Sequence, residues 1–443
     1  MKIKLTIILF TVFGLATYAQ AKKWTLQECV DYALEKNISI KQSELDLETS
    51  EINKKDAIGN FLPSLNASAS HSWSIGLGQD PVTFNAVNAT TKNLSGGIRS
   101  SINLYDGLQN VNQLHRANLQ ILASQYQLDN MKDDISLLVA NSFLQILFGK
   151  EQLKVLQGQN LVSAEELKRT QELVDAGVLP RGDLLEIQAT LATQEQQIVS
   201  AENAVLISKI NLAQVLLIEN YEEFDIADVQ YEVPPTSILN ESAAVITSKA
   251  KETRKDILIA QTNAEIAEDN LKIAKGALQP SLSGSYSFSS NYFTSGLFDT
   301  PDFETQITDN KNHNMGLSLS IPVFNGFAGK NNVKRNKINL ERSKIQLEQA
   351  NLDLESTVYQ AYNDTKGAKK AYEAALKTVT ARKEAFTYSQ ERYNVGLLNA
   401  FDFNQSRTQL ETSESDLIRS KYDYIFKLKV LEYYFGIPIA NLN

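Results

Sequence analysis

Two hydrophobic periods alternate along this chain, one helical and one strand-like, and the alternation runs twice. Leu184, Leu191, Ile198, Val205 and Leu212 recur every seven residues, as do Phe403, Leu410, Leu417, Tyr424 and Leu431, each 219 residues after its counterpart. The same 219 residues separate Gly177 from Gly396 and Asp183 from Asp402, which precede or open those rows. The stretches 174–184 and 393–403 therefore read as two helical hairpins, each turned at a glycine. The chain is a tandem duplication of one plan.

Upstream of each hairpin the pattern also repeats. Thr25-Leu26-Gln27-Glu28 is a capping box that opens a first helix. A second helical segment runs from about Ser39 to Gly59 and stops before Pro63. Its opening, 37–43, matches 256–262 at 219 residues, and Pro63-Ser64-Leu65 matches Pro280-Ser281-Leu282 at 217. Past those prolines the period becomes two. Leu65, Ala67, Ala69, His71, Trp73 and Ile75 alternate with asparagine and serine, and Ile98, Ile102 and Leu104 alternate on a return strand. In the second half Leu282, Gly284, Tyr286, Phe288 and Tyr292 do the same, then Met315, Leu317, Leu319, Ile321 and Val323.

This predicts four strands, at 64–75, 95–104, 281–292 and 314–323, of about ten residues each, the length of a tilted membrane-crossing strand. Polar loops, 76–93 and 293–313, join each pair. Soluble hairpins packed by one face on helices are the competing reading. Small serine-rich polar faces and aromatic residues on the opposite face favour a membrane barrel.

Each second strand ends in an aromatic-Asx-Gly turn, Tyr105-Asp106-Gly107 and Phe324-Asn325-Gly326, again 219 apart. A helical pattern then runs to the hairpin, carried by Leu128, Met131, Ile135, Leu138, Ser142 and Ile146 in the first half. In the second half Ile338, Ile345 and Leu352 form one heptad row and Leu340, Leu347 and Leu354 another. Such a helix reaches roughly 100 Å at 1.5 Å per residue. Two adjacent rows mean neighbours on two sides, as in a closed cylinder of helices.

Composition narrows the function. Residues 1–21 carry Lys2 and Lys4, an apolar run and small residues, the pattern of a secretory signal peptide cleaved after Ala19 or Ala21. The net charge is −9, and −11 without Lys2 and Lys4, a poor balance for nucleic acid or an anionic surface. Cys29 is the sole cysteine, so no intrachain disulfide forms, and His71, His115 and His313 have no metal-ligand spacing. No nucleophile–base set or phosphate loop is visible, so neither enzymatic activity nor a cofactor is expected. Residues 223–241 are acidic and lead into Pro234-Pro235. They read as a connector between repeats 22–222 and 242–443, with its acidic run a solvated surface.

Four strands cannot close a barrel, and an open sheet edge cannot face lipid, so copies must share one. Two copies give eight strands and a filled interior, whereas three give twelve and four give sixteen, with a lumen. The strands alone do not choose between three and four.

The chain resembles the TolC-type outer-membrane efflux proteins along essentially its whole length after residue 21. The likeness rests on the tandem halves, Leu-Pro-Ser-Leu at 62–65, Pro-Val-Phe-Asn-Gly at 322–326, and Arg392-Tyr393-Asn394-Val395-Gly396-Leu397. It implies an α+β membrane protein, a homotrimer with a shared twelve-stranded barrel in outer-membrane lipid and a duplicated long-helix α-barrel in the periplasm. Such a duct works passively with a periplasmic adaptor and an inner-membrane transporter. The resemblance assigns adaptor docking to Gly177, Val178, Leu179, Val395, Gly396 and Leu397. Ala176 departs from the motif at the first tip. The resemblance also makes Asp402 a selectivity carboxylate and pairs Tyr393 with Asp183 in the closed gate. Leu398 and Gln405 replace a gating Arg and a second Asp of the family, with Arg181 or Arg392 as substitutes. Helix capping is the plainer role for Asp183 and Asp402. The alternatives to a duct are a secreted coiled-coil interaction protein and a stand-alone porin.

Overall fold

A computed structural model describes residues 22–229, 232–233 and 237–437. The expected signal peptide lies outside the described residues, as does part of the expected connector. In chain order the elements are β1 (Lys23–Trp24), α1 (Leu26–Lys36), α2 (Ile38–Gly59), β2 (Ser64–Gln79), β3 (Ala86–Tyr105), α3 (Gln109–Asp175) and α4 (Arg181–Val215). After these come β4 (Asp225–Ile226), α5 (Ala243–Thr253), α6 (Lys255–Gly276), β5 (Ser281–Ser295), α7 (Phe303–Asp309), β6 (Asn312–Ser320), α8 (Ala328–Asn394) and α9 (Ala400–Phe435). The described residues form two compact units, one of residues 39–131 and 248–356, the other of the described residues outside those ranges.

The first unit holds one antiparallel sheet in the order β2-β3-β5-β6, so β2 and β6 are open edges. Pleating sends successive side chains to opposite faces. Leu65, Trp73, Ile75, Leu77, Met315, Leu317 and Leu319 lie on one face, and all are exposed. The other carries mainly serine, asparagine and glycine, together with Arg99.

The alternation was read correctly, but three boundaries were not. The first hairpin extends through most of the expected 76–93 loop, because Thr90, Thr91 and Val87 keep the extended backbone paired up to Gln79↔Ala86. The last strand ends at Ser320, two residues before Pro322, which can donate no ladder hydrogen bond. The 293–313 loop contains α7, capped by Asp302. From there the buried Gln306 side chain bonds the N–H (2.9 Å) and C=O (2.9 Å) of Phe293, where β5 runs beyond the end of β6.

Below the sheet, Gly107 and Gly276 touch. A Cβ on Gly107 would lie 2.3 Å from the Gly276 carbonyl oxygen, and one on Gly276 2.5 Å from that of Gly107. Arg116 donates to Asn270 Oδ1 at 3.0 Å along the same seam, and Ala267, Leu271 and Leu340 form a small core with Val333.

The second unit is a helical bundle. Val139, Phe143 and Ile146 of α3, Leu212 of α4, and Ile425, Leu428 and Leu431 of α9 are fully buried. The heptad rows of α4 and α9 face this core: Leu184, Val205, Phe403, Tyr424 and Leu431 are buried. The α1 capping box forms as expected, with Thr25 and Glu28 satisfying each other's backbone N–H groups.

The acidic run is not simply solvated. Its β4 pairs in parallel with β1, and Lys150 (2.8 Å) and Lys209 (2.9 Å) hold Asp225. Lys150 and Lys23 hold Asp228, whose carboxyl their hydrogen bonds depress to about 2. Cys29 of α1 is buried, which pushes its thiol up to about 12 and removes it from thiolate chemistry.

Candidate functional site

Two turns in the second unit carry the candidate residues. At the first, Gly177 adopts φ +72°, Val178 N–H bonds Leu173 C=O at 2.8 Å, and Gly177 N–H bonds Val174 C=O at 3.0 Å. At the second, Gly396 adopts φ +74°, Leu397 N–H bonds Arg392 C=O at 2.8 Å, and Gly396 N–H bonds Tyr393 C=O at 3.0 Å. Both are Schellman turns, in which a left-handed residue lets the chain satisfy the last carbonyls of a helix. Val178, Val395 and Leu397 point into solvent, each more than 60% exposed. Docking surfaces need such unpartnered apolar groups.

The expected capping role of the two aspartates needs correction. The N-caps are Pro180, which makes no side-chain bond, and Asn399, whose Oδ1 accepts Asp402 N–H at 2.8 Å. Asp183 and Asp402 both sit in the third helical position, where the helix dipole favours negative charge. Asn399 Nδ2 donates to Asp402 at 2.9 Å, and the carboxylate is otherwise exposed. No hydrogen bond joins Tyr393 to Asp183 within the chain. The Tyr393 hydroxyl is buried beside the Thr170 side chain. Burial pushes its pKa up, and the nearby Glu166 and Asp183 charges add to the shift. Its ring stacks on Phe403 at 4.5 Å. Of the expected substitutes for the missing gating Arg, Arg392 reaches back to its own turn at Leu397 C=O, 3.3 Å away.

Beneath the turns lies a polar layer that the sequence reading missed. Arg407 is 4% exposed and sits 3.9 Å from both Glu166 and Glu411, while Gln194 donates to Glu411 at 3.0 Å. Burial pushes both glutamates above their ordinary range, against the pull of Arg407. The side-chain amide of Asn404, three residues before Arg407, is also buried without a partner. The signal was available: Arg407 falls four residues after Phe403 and three before Leu410, on the buried stripe. Among the described residues no group of His, Cys, Asp and Glu is arranged to hold a metal.

Duplicated helices, a sheet with two open edges and paired glycine tips match a known family. The family model described as outer membrane efflux protein matches residues 29–216 and 246–436, both repeats. The chain belongs to that family. This efflux protein therefore resides in the outer membrane, in a family of channel formers rather than enzymes. It is 23% identical to the outer membrane protein TolC of Vibrio cholerae, over 77% of this chain and 76% of that one. It is 20% identical to the outer membrane efflux protein BepC of Brucella suis, over 90% and 83%. Its fold matches the crystal structure of VceC from Vibrio cholerae with a TM-score of 0.80 at 13% identity, covering 94% and 96% of the two chains.

Proposed function

We propose that three copies assemble head to tail into an outer-membrane exit duct. A periplasmic adaptor would dock at the glycine tips, and an inner-membrane transporter would supply the energy. One observation carries the assembly. Within the chain, the returning strand of the first repeat pairs with the incoming strand of the second (β3 with β5), and Gly107 meets Gly276 beneath them. The repeat equivalents are β6 with β2 and Gly326 with Gly59, and these lie open, with nothing within 4 Å of a Cβ on either glycine. Pairing β6 of one copy with β2 of the next, and Gly326 with Gly59, closes the ring with contacts the chain already makes once. Arg335 would then face Asn53 of the next copy, as Arg116 faces Asn270.

The exposed heptad row Ile338, Ile345, Leu352 and Tyr359 supports the same reading, as do Leu45 and Ile52. Burying each large apolar side chain is worth about 1.5–3 kcal/mol, a strong drive to cover them. Two copies would leave a filled barrel; three give a lumen. A secreted coiled-coil protein would leave the apolar sheet face in water. Native sizing of an outer-membrane detergent extract tests the proposal. A trimer is expected, and a soluble monomer would end the duct reading.

Three Asp402 carboxylates around the bore would favour cations. Asp402→Asn is expected to weaken the cation preference of the reconstituted channel and to remove block by multivalent cations. Unchanged selectivity would remove Asp402 from the bore. At the tip, Gly396→Trp is expected to leave trimers intact and stop export. Gly396→Asn, which tolerates a left-handed backbone, should keep export. Normal export by the tryptophan variant would take this tip out of the docking surface.

A further inference from the structure

Side chains that face one another across the sheet form rows, and one row is unlike the rest. Asn66 pairs with Arg99, Arg99 with Ser287, and Ser287 with Asn314. The row below is Ser64, Ser101, Ser285 and Gly316, and the row above is Ser68, Gly97, Ser289 and Asn312. On this polar face of the four strands Arg99 is the only ionisable side chain. Its equivalent in the second repeat, 219 residues on, is Ser318. The duplication therefore supplies one guanidinium per copy rather than two.

Arg99 is exposed and makes no hydrogen bond or ion pair with any described residue. The face bears no carboxylate, so its charge is left unbalanced where it stands. An unpaired guanidinium turned toward lipid would cost up to about 2–4 kcal/mol, the more the deeper it lies, whereas facing a wet bore it costs little. The opposite face, with Leu65, Ile75, Met315, Leu317 and Leu319, is the one suited to lipid.

We infer that Arg99 forms a ring of three positive charges inside the barrel and makes it an anion-favouring collar for cargo bearing carboxylate or phosphate groups. This rests on the trimeric duct proposed above. The collar lies on the second polar row from the Ser64 end of β2, in the sheet, and is distinct from the Asp402 carboxylates at the helical tips. Charged rings select ions through their field, and that field is screened over about 10 Å at 0.1 M salt and about 30 Å at 0.01 M. In a lumen wider than the arginine's reach, the effect is therefore greatest in dilute salt.

The test is the reversal potential of the reconstituted full-length trimer across a dilute potassium chloride gradient, in an Asp402→Asn background that removes the opposing ring. Arg99→Ser is expected to lower the chloride-to-potassium permeability ratio by about twofold to threefold, and Arg99→Glu to invert the preference. The Arg99→Ser change should fade as salt is raised to about 1 M, where screening shortens to about 3 Å. Channels whose reversal potential is the same with Arg99, serine or glutamate would overturn the collar and leave the duct standing. Failure of the unmodified trimer to conduct at all would overturn the duct, and the collar with it.

Discussion

Arg407→Ala is expected to loosen the helical ends beneath the tips by about 3 kcal/mol, and by less as the solution is acidified. Removing one partner of a buried ionic group costs about 3–5 kcal/mol because the others stay desolvated without compensation. Here Arg407 faces two carboxylates, with Glu166 only 11% and Glu411 20% exposed. Their contacts to Arg407 are long, 3.9 Å, and its Nε and Nη1 lack hydrogen-bond geometry, so the lower end of the range applies. Arg407 also lies over the Phe403 ring at 6.0 Å, a packing contact that alanine loses.

The pH dependence follows from the direction of the glutamate shifts. Both are raised by burial, so the folded layer holds protons more tightly than the open one. Its stability falls as pH rises from the ordinary carboxylate value through the raised one, and is recovered on acidification. Without Arg407 the glutamates rise further. The variant should therefore be loosest near neutral pH and approach the unmodified protein below the ordinary carboxylate range. Arg169 and Glu414 also act on these glutamates, with opposite signs, and the substitution leaves both in place. Hydrogen exchange of residues 160–175 and 400–415, followed against pH, reads the effect as local opening. Equal protection in variant and unmodified protein would show that the layer carries no stability.

The second large effect separates the two faces of the sheet. Leu317→Arg should place a cation against lipid near the Ser64 end of the sheet, at a cost of up to about 2–4 kcal/mol per copy, and reduce heat-stable trimers in the outer membrane. Ser318→Arg, one residue along the same edge strand, should assemble normally, because its side chain joins Arg99 on the wet face. Both positions are exposed in the isolated chain, so monomer burial alone does not separate them. Equal assembly of the two variants would contradict a lipid-facing Leu317.

The duplication, the strand faces, the long helices and the glycine turns were all legible in sequence, since each is a local regularity repeated at a fixed offset. Hydrophobic period decides helix against strand, and a glycine at a helix end decides where the chain reverses. The exposed tip residues were legible for the same reason. The extent of the first hairpin was not, because serine and glycine signal loops equally well. Pairing with a neighbouring strand kept those residues extended.

Burial of Arg407 among two glutamates needed helices from opposite halves of the chain to meet. The β1–β4 pair, which turned an acidic connector into a partner for Lys23, Lys150 and Lys209, needed the same. The tertiary structure also decided that Gly107 meets Gly276 within the chain while Gly59 and Gly326 stay open. Local propensity is written in adjacent residues. The fate of a charge or a close backbone contact depends on what folding brings within a few ångströms from more than a hundred residues away.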